Sequence, residues 1–133
     1  MFFHGFAEEL AGSDGEEVRR AYVHDTGARD PEIARWIVDL ICAVPQHAAA
    51  AVIHGVSVWN RSGPLARCAL PVLLLRTDLG TDSDVMQLRD IKPDPEVGIT
   101  VGAGHFHQLE VPEQVNAMIE RVSRGIALSF PTT

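Results

Sequence analysis

The residue best placed to do chemistry is His105, which directly follows Gly102-Ala103-Gly104 and precedes Glu110-Val111-Pro112-Glu113. An imidazole titrates near neutral pH, so a histidine presented on a tight turn can serve as a general base. Such a base works best when a carboxylate bonds its second nitrogen, fixing the tautomer and stabilising the imidazolium. Carboxylates gather in a second stretch, residues 77–84, which carries Asp78, Asp82 and Asp84. His105-x-His107-x-x-Glu110 also contains metal-ligating side-chain types. These residues run from a glycine turn into a helix, and the chain has no third strong ligand cluster, so neither a metal nor a cofactor is expected.

Strands must hold both stretches. Val97, Ile99 and Val101 alternate with Gly98 and Thr100, the period of a short strand. The glycines after it allow a sharp turn, and Pro112 with Glu113 suits the first turn of the next helix. Pro71-Val72-Leu73-Leu74-Leu75 is an unbroken apolar run, expected to form a strand buried on both faces of a parallel sheet, with Pro71 at its first position. Asp82-Ser83-Asp84 caps a helix carrying Val85, Met86 and Leu88 and stopped by Lys92-Pro93, with Asp84 better suited to capping than to catalysis. The final helix sets Val115, Met118, Ile119 and Val122 on one face and ends at Gly125, leaving a tail without periodicity. Strand, helix, strand and helix thus alternate over residues 71–124. Ligands of such sheets bind beyond the carboxyl ends of the strands, where the acid-bearing loop and the His105 loop would be neighbours.

The first half reads as helical. Residues 1–12 give no clear element, and Ser13-Asp14-Gly15-Glu16 fits a capping box opening a helix to about His24, with a turn at Asp25-Thr26-Gly27. Asp30-Pro31-Glu32 is a strong helix start, after which Ile33, Trp36, Ile37, Leu40, Ile41 and Val44 form one apolar face up to Pro45. His47–Trp59 is alanine-rich and helical, Asn60–Pro64 reads as a loop, and Trp36 and Trp59 are expected in core or lid packing.

Gly102-Ala103-Gly104-His105-Phe106, with Glu110, Pro112, Glu113, Val115 and Asn116, resembles the C-terminal motif of α/β-hydrolase fold enzymes. Trp59-Asn60-Arg61, Leu65 and Leu70–Arg76 resemble that family's passage from lid to penultimate strand. The likeness spans roughly residues 47–124, the family's back half. It implies a partial α/β-hydrolase-like layer structure: a short parallel sheet flanked by helices, preceded by lid-like helices. It also implies a nucleophile–His–acid mechanism with His105 as base, acting on an ester-like or other small apolar substrate.

The sequence departs from the family in two places. The acid position of the usual Gly-x-x-Asp is occupied by Gly80 in Thr77-Asp78-Leu79-Gly80, which leaves Asp78 or Asp82 as the partner of His105. A nucleophile elbow, commonly Gly-x-Ser-x-Gly, is absent. The nearest stretch, His54-Gly55-Val56-Ser57-Val58, lies mid-helix, and the His4-Gly5 echo of an oxyanion loop has no leading strand. The resemblance therefore allows either a hydrolase whose chain supplies the His and acid only, or a catalytically incomplete module for binding or self-association. An unpaired sheet edge would favour homo-oligomers, or pairing with a chain that supplies the N-terminal half.

With 133 residues, 46% hydrophobic content and mean hydropathy near zero, the chain is expected to be one domain, helical and lid-like over 1–64 and α/β over 65–133. A net charge of −7 with scattered Lys and Arg argues against nucleic acid. No apolar run reaches membrane-spanning length and no signal peptide is evident, so a cytoplasmic protein without membrane contact is expected, with Cys42 and Cys68 as buried free thiols.

Overall fold

Leu73–Thr77 (β1) and Glu96–Thr100 (β2) pair in parallel, with Leu73 opposite Glu96 and Thr77 opposite Thr100. The computed structural model describes residues 2–59, 62–79 and 83–129. Among these, the chain is mixed α/β and helix-rich, with eight helices and this two-stranded sheet. The chain divides into two compact units, Met1–Asn60 and Arg61–Thr133.

The first unit holds α1 (Phe2–Ala11), α2 (Gly15–Asp25), α3 (Pro31–Ala43) and α4 (Gln46–Val58). α1 packs on α4 and α2, and α2 packs on α3, around buried Ala7, Leu10, Val23 and Ile37. α1 corrects the expectation of no element before Gly12. Residues 2–11 carry a helical apolar stripe, including Phe6, Ala7 and Leu10, that Gly5 within it and Gly12 after it only obscure. The helix runs through His4-Gly5, so no oxyanion loop exists there.

The capping box at Ser13 is not formed. Asp14 is the N-cap, without a side-chain cap bond, the Ser13 hydroxyl donates to the Asp14 carboxylate at 3.0 Å, and Glu16 accepts from Arg20 at 2.8 Å. The start of α3 is as expected: the Asp30 carboxylate accepts from Glu32 N–H at 2.8 Å and Ile33 N–H at 3.1 Å, with Pro31 at the first position. The single apolar face of α3 is only partly covered. Ile37 is buried, whereas Leu40 and Val44 are exposed, and Trp36 and Trp59 are 52% and 61% exposed, contrary to their expected packing.

The second unit adds α5 (Ser62–Ala66), α6 (Ser83–Ile91), α7 (His107–Glu110) and α8 (Pro112–Ser129). α5 occupies part of the stretch expected as a loop. β1 begins at Leu73 rather than Pro71 and extends through Arg76 and Thr77, whose backbones pair with Ile99 and Thr100. Its residues are half-buried, not buried on both faces. α8 lies on the face bearing Gly98, where an added Cβ would meet Met118 and come within 2.7 Å of Leu75 Cδ2. The opposite face carries Ile99 and Val101, 49% and 63% exposed, with Val97 half-buried, while Thr100 is buried. α8 passes Gly125 without ending, and Ile119 is exposed while Val115 is buried. Cys42 and Cys68 are free thiols, half-buried rather than buried. Among the described residues, no single helix is long and apolar enough to cross a membrane.

Candidate active site

The last rungs of the ladder bring the two candidate loops together. Asp78 N–H donates to Thr100 O at 3.0 Å just beyond the paired strands, and Leu79 N–H donates to the Thr77 hydroxyl at 3.3 Å. The Asp78 loop and the loop carrying His105 therefore leave the same, carboxyl end of the sheet. Asp78 and His105 are both exposed there. Asp82, the alternative acid, and Gly80 lie outside the described residues.

Glycine geometry and two polar side chains build the turn that presents His105. Gly102 has φ +85°, a left-handed conformation costly for a residue with a Cβ. Ala103 and Gly104 are buried beneath it, and Gly104 N–H donates to a Glu110 carboxylate oxygen at 2.8 Å. Gln114, in the first turn of α8, accepts from Val101 N–H and donates to Val101 O, both at 3.0 Å, in the manner of a third strand residue. The His105 ring packs edge-on against Phe106, with centroids 5.2 Å apart.

His107 is an anchor. Its Nδ1 lies 2.9 Å from the hydroxyl of buried Thr100, which also lies 3.3 Å from Arg76 O. The hydroxyl has one proton, so donating it to Arg76 O requires His107 to carry its proton on Nδ1. Burial, and then the neighbouring His105, hold the His107 pKa below the ordinary histidine value, while Glu110 opposes them. In the sequence His107 and Glu110 read as metal-ligating types, and no motif there marks Thr100 or Gln114. The available signal was a glycine turn with amides needing acceptors, followed by Glu and Gln within reach.

Ser57, in the stretch nearest to an elbow, sits inside α4 with its hydroxyl donating to His54 O at 2.7 Å. Among the described residues, no group of three or more His, Cys, Asp or Glu side chains could hold a metal ion. No known family's sequence model matches the chain, and no curated protein matches it.

Proposed function

We propose that this chain carries the acid–base half of an α/β-hydrolase-type site for an ester-like or other small apolar substrate. His105 is the general base and Asp78 or Asp82 the carboxylate that orients it. The observation that carries this reading is the parallel β1–β2 pair, with the acid loop and the histidine loop leaving its carboxyl end beside the Asp78–Thr100 backbone bond. An imidazole oriented by a carboxylate would take the proton of an attacking hydroxyl, and such a step contributes about 10²–10⁴-fold when the nucleophile is in place. The nucleophile would come from a different chain, one that supplies the N-terminal half and seats along the sheet.

The helical placement of Ser57 favours a second reading, a catalytically incomplete module that binds a ligand or partner. A hydroxyl bonded to its own helix backbone is not presented on a strained turn. Labelling of the folded chain with a fluorophosphonate, read by intact mass and peptide mapping, tests the proposal. No adduct is expected from the chain alone. A stoichiometric adduct lost in His105→Ala would overturn the half-site reading and identify a nucleophile within the chain. If a completing chain restores labelling, Asp78→Asn or Asp82→Asn should suppress it, and labelling indifferent to His105→Ala would remove His105 as the base.

A further inference from the structure

The helical unit contains a partly open cavity of about 310 Å³, near the lower end of small-molecule sites. Its wall is almost wholly apolar, built from side chains that include Phe6, Leu10, Tyr22, Ile41 and Val52. The Phe6 and Tyr22 rings lie against each other, with centroids 5.3 Å apart, and burial holds the Tyr22 hydroxyl pKa above its ordinary value. One charged side chain lines this surface: Arg19, only 6% exposed.

Arg19 Nε donates to Gly15 O at 3.1 Å, and Nη1 donates to Ile41 O at 3.0 Å and Val44 O at 2.7 Å. These bonds fix the guanidinium against the end of α3, whose terminal carbonyls carry partial negative charge. They engage Nε and Nη1 only. Among the described residues, Nη2 has no hydrogen-bond partner and no carboxylate bonds the group. Glu16, which feels the Arg19 charge, gives its carboxylate to Arg20. The three carbonyls leave one guanidinium edge open, and such an edge suits a carboxylate.

We propose that this cavity binds a small apolar monocarboxylate, with its chain among Phe6, Leu10 and Ile41 and its carboxylate on Arg19 Nη2. The site lies wholly within Met1–Asn60 and does not depend on the hydrolase reading. Alkyl length is limited by the cavity, and the charge on Arg19 separates the acid from the matching alcohol.

Calorimetric titration of the full chain with decanoate and with decanol tests this, alongside Arg19→Met and Val52→Trp. Val52 is exposed on the rim, so its tryptophan would fill the opening without disturbing the core. Decanoate should bind once per chain, at least about tenfold tighter than decanol, the preference expected of a charge-assisted bond. Val52→Trp should abolish both, and Arg19→Met should bring decanoate to the level of decanol. Equal binding of acid and alcohol by the wild type overturns the proposal, as does unaltered decanoate binding in Val52→Trp. Both of those results stand even if Arg19→Met fails to fold.

Discussion

At the scale of single residues, the turn that presents His105 depends on groups that do no chemistry themselves. Glu110 accepts the Gly104 amide, so Glu110→Ala should leave a buried N–H without an acceptor at a cost of about 1–3 kcal/mol. Glu110→Gln keeps an oxygen there and should cost less than half as much. Urea unfolding gives the energies, and faster hydrogen exchange at Gly104 localises the loss. His107 gives a pH signature with a definite sign. Its folded pKa is lowered, chiefly by burial, so the unfolded chain binds a proton first as pH falls. Stability from this group is thus present above about pH 6.5, the unfolded value, and is lost as pH falls through the folded one. The urea midpoint should drop between pH 7.5 and 5.5, and His107→Gln should flatten that drop; an equal slope in the variant would show that His107 is not its source. The exposed turn that presents His105 was legible because Gly102 and Gly104 mark it in the sequence. Thr100 was not, since a threonine inside a strand pattern looks like surface, and its burial comes from the His107 ring beside it and from α8 on the same face.

At the scale of elements, local signals succeeded where a single residue decides the backbone. The Asp30-Pro31 start of α3 is such a case, and Asp30→Ala should cost about 1 kcal/mol by removing an acceptor shared by two amides. Heat or urea denaturation would register it; an unchanged midpoint would show the cap to be energetically idle. Signals failed where tertiary contacts choose between plausible faces. The alternation of Val97, Ile99 and Val101 marks a strand without saying which face is covered, and α8 covers that of Gly98 and Thr100. A glycine in mid-strand is the clue to close approach by a neighbour. Gly98→Ala would drive a methyl toward Met118 and Leu75, both flexible at their ends, and should cost about 1 kcal/mol, whereas branched Gly98→Val should cost up to about 3 kcal/mol. Equal stability of the two variants would mean that α8 does not press on this strand.

At the scale of the whole molecule, the sheet is the least self-sufficient part. A parallel pair ordinarily lies in a larger sheet buried on both faces, and a two-stranded ribbon alone is marginal. Here one face is covered by α8, while on the other Ile99 and Val101 are exposed beside half-buried Leu74 and Arg76. That imbalance was not legible in the sequence, because an apolar strand reads the same whether or not a neighbour covers it. If the proposed self-association or completing chain uses this region, its apolar surface supplies the drive and the unpaired strand edges supply direction. Sedimentation at tens of micromolar should then show a species larger than the monomer. Ile99→Lys and Val101→Lys place a charge on the open face without touching the core, so each should return the chain to a monomer with its unfolding midpoint nearly unchanged. A wild-type chain that stays monomeric, or an assembly indifferent to both lysines, would mean that this face is not the interface, and the nucleophile would have to reach His105 from a chain docked elsewhere.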